Sequence, residues 1–282
     1  MKYLYYPGCS LKGTAREYDE SFRAVAPILG IAYSEMEEWN CCGATAAKSL
    51  DAGTALRLPG NNLRRAQAAG RDLLVLCPSC HLNHQDVLNR ASKDAGLQEQ
   101  WGAAPLPRVK HLLEVLAFET GPSAIGERVS RPLKGLRALP YYGCLVIRPH
   151  ALGGKESLEN PRAMETVIRA LGAEALSFPE RMECCGGALV LTKEKIALKL
   201  AGEVLKAAKR CSPDCIVVAC PLCAFMLDAK QRSIEKEIRE KIGLPVLYLT
   251  QLLGLALGAA PKALGLHRLV TPFPALRSRF PA

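Results

Sequence analysis

Two stretches, Leu73-Leu74-Val75-Leu76-Cys77-Pro78-Ser79-Cys80 and Ile216-Val217-Val218-Ala219-Cys220-Pro221-Leu222-Cys223, share one pattern: a short apolar run followed at once by Cys-Pro-x-Cys. Four apolar residues bounded by turn formers read as a strand buried on both faces, the usual state of a central strand in a parallel sheet. Each run delivers its cysteines at the carboxyl end of that strand, and a helical segment follows. Working outward, 34 residues separate each run's first cysteine from an upstream adjacent pair, Cys41-Cys42-Gly43 or Cys184-Cys185-Gly186. A single cysteine precedes each pair, Cys9 by 31 intervening residues and Cys144 by 39. Ten of the twelve cysteines therefore form two copies of one five-cysteine pattern, which points to two equivalent metal centres.

The repeat extends past the cysteines. Tyr5-Tyr6-Pro7-Gly8-Cys9 matches Tyr141-Tyr142-Gly143-Cys144, and each lead-in, Met1 to Tyr6 or Leu136 to Tyr142, reads as a strand ending at the cysteine. Helical segments follow. Met164, Val167, Ile168 and Leu171 fall at i, i+3, i+4, i+7, with Pro161 placed to open that helix and Gly172 to close it. Phe22, Val25 and Leu29 do the same in the first copy, ended by Gly30. Strand-like pieces, Ile31 to Met36 and Ala175 to Phe178, lead into the vicinal pairs. Further helices are expected around Leu63 to Ala69 and from Lys193 to Lys209. The copies close alike, with Leu106-Pro107 then Leu112-Leu113, and Leu244-Pro245 then Leu252-Leu253.

Alternating strand and helix predicts an α/β fold of two pseudo-repeated domains, residues 1–130 and 131–282, with mostly parallel sheets. Residues 121–135, rich in Gly, Pro and charge, are the expected linker. The tail from Lys262 to Ala282 is either a docking extension or loosely ordered. Ligands in such folds sit beyond the carboxyl ends of strands, where all three cysteine elements of each copy are placed to converge.

The composition is that of a globular chain, 49% hydrophobic and 23% charged. Its longest apolar stretches fall well short of the roughly 20 residues that span a bilayer. A motif cysteine so close to the N-terminus leaves no room for a cleavable signal, so the expectation is a cytoplasmic protein without a direct membrane span. In a reducing compartment cysteines of this number serve metals or catalysis rather than disulfides. The net charge of +10 is spread along the chain and aromatic content is only 6%, which argues against nucleic acid as a partner. Two readings of that charge stay open: a solvated surface meeting acidic partners, or a positive site drawing in a small anionic substrate.

Thiolates suit zinc and iron–sulfur clusters. Structural zinc takes four ligands, and two adjacent cysteines on one ion are sterically awkward. Five thiolates with an adjacent pair fit a larger or distorted cluster in which one thiolate bridges two irons. Zinc and buried free cysteines are the competing readings. Gly43, Gly186 and Gly187 would let backbone approach a cluster closely. Cys215 opens an apolar strand and reads as a buried strand cysteine, and Cys211 lies at a helix end. His81 and His84 follow the first CxxC at i, i+3, but Ala224 and Leu227 stand at the matching places of the second copy. A structural role is therefore favoured for both, with a substrate or proton role for His81 kept open. His150 has no motif around it. Gly153-Gly154-Lys155 lacks the full Walker spacing, and no dinucleotide glycine fingerprint follows a strand.

The pattern C-x31-CCG-x34-CxxC and C-x39-CCG-x34-CxxC resembles the CCG-domain family, and among its members the B component of heterodisulfide reductase. The resemblance covers nearly the whole chain, from Tyr-Tyr-Pro-Gly-Cys-Ser to Leu264-Gly265-Leu266-His267. It implies that Cys9, Cys41, Cys42, Cys77 and Cys80 hold one non-cubane [4Fe-4S] cluster and Cys144, Cys184, Cys185, Cys220 and Cys223 a second. In the family such a pair cleaves the disulfide between coenzyme M and coenzyme B. Electrons arrive from the family's C component, which carries cubane iron–sulfur clusters, and ultimately from its A component, a flavoprotein. This chain lacks the C-x2-C-x2-C-x3-C-P run of such cubanes, so it implies a separate partner.

The leading expectation is thus the catalytic iron–sulfur subunit of a heterodisulfide-reductase-type complex, an oxidoreductase acting on the sulfurs of a small-molecule disulfide. One sulfur would go to each cluster and one electron to each half, with no separate acid or base assigned. The alternative is a non-catalytic electron-relay subunit of a larger oxidoreductase, like the lactate or glycolate oxidase relatives or those associated with methylene-tetrahydrofolate reductase.

Overall fold

The computed structural model describes residues 2–44, 46–94, 96, 99, 101–148 and 151–274; His150 and the last eight residues of the tail lie outside them. The first half builds a sheet from β1 (Lys2–Tyr6), β2 (Ala32–Glu35), β3 (Leu73–Val75) and β4 (Val109–His111). The second uses β5 (Arg137–Tyr141), β6 (Glu174–Ala175), β7 (Cys215–Val218) and β8 (Val246–Tyr248). The orders are β2-β1-β3-β4 and β6-β5-β7-β8, and every pair is parallel. The two predicted central strands, β3 and β7, are buried on both faces, as their unbroken apolar sequence requires. In each sheet the chain leaves the first strand for one neighbour and later returns on its other side. That reversal opens a crevice beyond the carboxyl ends of β1 and β3, and of β5 and β7.

The helices that shape these crevices are α1 (Gly8–Lys12), α2 (Arg16–Ile28), α3 (Ala52–Ala68) and α4 (Pro78–Ala91). In the second half they are α5 (Ala163–Ala170), α6 (Glu194–Arg210) and α7 (Leu249–Ala256). Phe22, Val25 and Leu29 are buried in the first half, as are Met164, Val167, Ile168 and Leu171 in the second. Gly30 and Gly172 follow these helices with φ of 70° and 81°, values that a glycine adopts without strain.

Several elements differ from expectation. α3 starts eleven residues before Leu63, because the Asp51 carboxylate caps it by accepting from Thr54 N at 2.6 Å. Pro59 and Gly60 obscured this helix in the sequence; both are buried in its interior. β6 has only two residues and overlaps the expected strand at Ala175 alone, since Phe178 leads directly into a 3-10 turn opened by Pro179. Pro161 stands before α5 rather than in its first turn. The expected linker contains a short helix, Pro122–Gly126, that packs against α5. Through residue 274 the tail docks: Arg268 pairs with Glu20 at 3.0 Å, and Val270 N and Thr271 N donate to the Asp228 carboxylate. The halves share one continuous core. Tyr18 of α2 stacks on Tyr248 at a centroid distance of 4.1 Å, and Ser21 and Thr250 share a hydrogen bond of 2.6 Å.

Candidate metal centres

In the first half β1 ends at Tyr6, and Cys9 sits in the first turn of α1 beyond it. The loop after β2 brings Cys41 and Cys42 to the same edge. Cys77 occupies the cap position of α4, with Pro78 at its first helical residue and Cys80 one turn in. Three neighbouring strands thus deliver five thiols to one crevice. Cys41 Sγ lies 3.8 Å from Cys9 Sγ, and Cys42 Sγ lies 3.3 Å from Cys80 Sγ. Cys80 also bonds Cys77. The second half repeats this: Cys184 bonds Cys144, Cys185 Sγ lies 3.7 Å from Cys223 Sγ, and Cys223 bonds Cys220. All ten sequence-predicted residues are brought together, five to each crevice.

Within each set the sulfurs compete for protons. Hydrogen bonds from Cys41 and Cys80 pull the Cys42 thiol far below its ordinary range, and a hydrogen bond from Cys80 lowers Cys77. Their partners Cys41 and Cys80 are pushed up by the same bonds and by burial. In the second set a bond from Cys144 lowers Cys184 to about 6, and a bond from Cys223 lowers Cys185. Cys144 and Cys223 move up. Five soft donors this close cannot all ionise beside one another without a cation among them. The donor set therefore fits a thiophilic metal centre in each half.

Backbone amides face the same sulfurs. Gly43 N approaches Cys41 Sγ and Ala44 N approaches Cys42 Sγ, both at 3.4 Å, and Gly186 N lies 3.3 Å from Cys184 Sγ. The glycines divide their work differently from the sequence expectation. A Cβ on Gly143 would lie 2.9 Å from Cys223 Sγ, so this glycine gives that sulfur room, whereas one on Gly8 would first meet the Tyr6 ring, at 2.9 Å. Gly187 would carry its Cβ 3.5 Å from Cys185 Sγ, ordinary contact. Gly43 and Gly186 instead turn the chain at φ of 80° and 74°. A Cβ on either would lie 2.7 Å from the helical segment that follows the pair.

Sequence reasoning missed a pair of tyrosines. The true register of the repeat pairs Tyr6 with Tyr141, not with Tyr142. Tyr6 OH donates to Asn40 O at 3.0 Å, and Tyr141 OH donates to Glu183 O at 2.6 Å. Each anchors the carbonyl immediately before a vicinal cysteine pair, and burial beside the cysteines pushes both phenols up. The signal was present, since a tyrosine precedes each Gly-Cys at the same offset. Asn83 was missed as well. Its amide donates to Cys42 O and Ala44 O, both at 3.0 Å, and lies 3.8 Å from Cys42 Sγ. Met226 stands at its equivalent place.

The remaining candidates are structural. His84 is buried between Cys80 O at 2.6 Å and the Asn62 amide at 3.3 Å, and His81 lies 3.3 Å from Val109 O. Cys215 is buried in β7, and burial beside Asp214 pushes its thiol up to about 12. Cys211 caps α6 and bonds none of the ten cysteines of the two sets. Gly153-Gly154-Lys155 packs on Glu114, to which Lys155 pairs at 3.6 Å.

The second set forms the wall of a pocket with about 410 Å³ of space between its atoms, part of it open to solvent. Cys144, Cys184, Cys185, Cys220 and Cys223 line it together with Val146 and Leu222. Pro78 and Ser79 of the first half close its other side. The sites are therefore neighbours across the boundary between halves, while Cys9 and Cys41 of the first set are exposed. The Ser79 hydroxyl is buried with no hydrogen-bond partner among the described residues.

The profile of the CCG family, described as a cysteine-rich domain, matches residues 3–84 and 138–228. The chain is 36% identical to the 8-methylmenaquinol:fumarate reductase membrane anchor subunit of Wolinella succinogenes, over 94% of this chain and 95% of that protein. It is 29% identical to the B component of the ferredoxin/F(420)H(2)-dependent CoB-CoM heterodisulfide reductase of Methanosarcina acetivorans, over 81% of this chain and 80% of that one. It is 28% identical to a protein of Archaeoglobus profundus described as like the B component of heterodisulfide reductase, over 93% of this chain and 92% of that one. A crystal structure of a hypothetical protein from Helicobacter pylori superimposes with a TM-score of 0.75 at 14% identity, over 96% of this chain. The chain spans about half of that solved chain, 52%. No helix among the described residues is long and apolar enough to cross a membrane.

Proposed function

Since the chain belongs to the CCG cysteine-rich domain family, we propose that it is the iron–sulfur subunit of a heterodisulfide-reductase-type oxidoreductase complex. In this reading Cys9, Cys41, Cys42, Cys77 and Cys80 hold one non-cubane [4Fe-4S] cluster, in a domain of residues 1–130. Cys144, Cys184, Cys185, Cys220 and Cys223 hold the other, in residues 131–282. The observation that carries it is the assembly of five thiols in each crevice, with one set walling an apolar pocket that the other half closes. When bound, such clusters supply one-electron chemistry at iron.

The substrate is a small-molecule disulfide, reduced to two thiols or formed from them, with two electrons and two protons exchanged. The protein's part is placement. Val146 and Leu222 make the pocket wall apolar, and Ser79, whose hydroxyl is buried without a partner among the described residues, stands in that wall. Tyr6 and Tyr141 hold the loops that carry the vicinal cysteines. Electrons come from a partner like the family's C component, with cubane iron–sulfur clusters, and from a flavoprotein like its A component. The complex works in the cytoplasm.

Metal analysis of chain purified without oxygen tests this reading: roughly eight irons and eight sulfides are expected from two four-iron clusters. About one or two zincs and no iron would refute it. A second reading, a relay subunit without a substrate of its own, is favoured by the 36% identity to a subunit of a quinol:fumarate reductase. Disulfide-dependent turnover by the complex decides between them.

A further inference from the structure

A second large cavity lies away from the cysteines, between α3 and the carboxyl end of α4. It has about 1000 Å³ of space between its atoms, part of it open to solvent, and none of the twelve cysteines lines it. Gly53, Arg57, Gly60 and Arg64 of α3 fall at i, i+4, i+7 and i+11, one stripe of that helix. Val87 and Arg90 of α4 face them. Gly60 is the anomaly of the stripe. A glycine in mid-helix weakens the helix, yet here its φ is not positive, and a Cβ on it would meet nothing within 4 Å. Neither backbone nor packing calls for glycine at this place, and its missing side chain keeps the groove open.

The groove's charge is of one sign. Arg57, Arg64 and Arg90 line it, and no carboxylate among the described residues does. None of the three pairs with a carboxylate among those residues either: Arg57 meets the Thr54 hydroxyl at 2.9 Å, and the Arg64 guanidinium lies over Trp101, 5.2 Å from its ring centre. Asp51 stands beside the rim, but its carboxylate is held by the Thr54 and Gly53 amides. Trp101 closes one end of the groove. Gln67 fixes that end, its amide donating to Trp101 O at 3.1 Å and to Ala104 O at 2.9 Å. Two turns of α3, roughly 10 Å, separate Arg57 from Arg64. Guanidinium forks without a protein carboxylate suit phosphate oxygens. An indole stacked with a guanidinium offers a flat surface to an aromatic ring.

We propose that this groove binds a phosphorylated ligand carrying a planar ring, a nucleotide or a molecule of that build, with phosphate on Arg57 and Arg90 and the ring against Trp101 and Arg64. The site is distinct from the cysteine sets and does not depend on what they hold. α3 nevertheless stands between the two: Asn62, on its side away from the groove, donates to Asn40 O at 2.9 Å, and Asn40 immediately precedes Cys41. The net charge of +10 thus includes a focused anion site beside a solvated surface.

The test is calorimetric titration of the full chain, purified without oxygen, with ADP, pyrophosphate and adenosine. ADP is expected to bind, and to bind more weakly as salt is raised. Pyrophosphate and adenosine each lack one half of the ligand and are expected to bind at least about tenfold more weakly. Arg57→Gln and Arg90→Gln are each expected to lower ADP affinity about tenfold, through loss of a charge-assisted hydrogen bond. Trp101→Leu is expected to weaken ADP but not pyrophosphate. Gly60→Leu fills the groove and is expected to lower ADP affinity at least about tenfold while the melting midpoint holds or rises. Arg65→Gln, on the same helix but outside the groove and paired with Glu38, is expected to change nothing. Circular dichroism verifies the fold of every variant. The proposal is overturned by no ADP binding, by pyrophosphate or adenosine binding as tightly as ADP, or by groove variants that bind like the parent. It is also overturned if a glutamate-rich peptide binds at these arginines and ADP does not displace it.

Discussion

Replacing Gly186 by alanine tests how the vicinal cysteines are held. Gly186 sits at φ of 74°, and its Cβ would lie 2.7 Å from Ala197 Cα and 2.9 Å from Ala197 O. Both obstacles are backbone of α6, which cannot swing aside as a side chain can. The left-handed conformation costs an alanine roughly 1–2 kcal/mol. Overpacking against a fixed neighbour adds about 1–3 kcal/mol. Gly30 supplies the internal reference: its φ is 70°, but nothing lies within 4 Å of its Cβ position. Gly30→Ala should therefore show the conformational cost alone. The excess for Gly186→Ala corresponds to a melting midpoint lower by roughly 2–5 °C than that of Gly30→Ala. Thermal unfolding followed by circular dichroism reads the midpoints, and iron content of the same preparations shows whether the displaced loop still presents Cys184 and Cys185. Equal midpoints and equal iron in both variants would show that the loop is not clamped against α6.

Cys42→Ser and Cys185→Ser should each lower iron by about half, since serine is the poorer ligand and each variant damages one set. Cys215→Ser should retain its iron and lose about 1–3 kcal/mol of stability from burying a hydroxyl in β7; equal iron loss in all three would mean that Cys215 is a ligand. Ser79→Ala removes a buried hydroxyl without a partner, so stability should hold or rise, whereas KM for a disulfide should increase about 2- to 12-fold if that hydroxyl bonds substrate. Unchanged KM with raised stability would leave Ser79 with no part in binding.

The parallel sheets were legible because Leu73–Leu76 and Ile216–Ala219 are apolar without alternation, a pattern that suits a doubly covered strand. The ten cysteines were legible from repetition. Less could be read where an element is short or its signals conflict. β4 and β8 have three residues each, and β4 includes a buried lysine and histidine, so neither shows a period. α3 carries Pro59 and Gly60 in its middle, and tertiary burial overrides the propensity they imply. The roles of Tyr6, Tyr141 and Ser79 depend on which carbonyl or cavity each hydroxyl meets across the fold. Spacing along the chain holds no record of that.

His111 and Tyr248 end β4 and β8 at equivalent register, beside Val75 and Val218. Each reaches the opposite half: His111 bonds the backbone at Ala219 as well as Leu76 O at 3.0 Å, and Tyr248 stacks on Tyr18. Equivalent strand ends that both reach across a common boundary, though to different partners, resemble the two-fold arrangement of a dimer, here contained in one chain. In a dimer of identical subunits any substitution is made twice. In a fused one it is made once, and symmetry is free to break. Here it has broken near the sulfurs: Asn83 and His84 bond the backbone of the first set, whereas Met226 and Leu227, both buried, stand at the equivalent places of the second half. Hydrogen bonds and exposure both tune cluster potentials, so the clusters proposed for the two halves would meet different surroundings within one repeated frame.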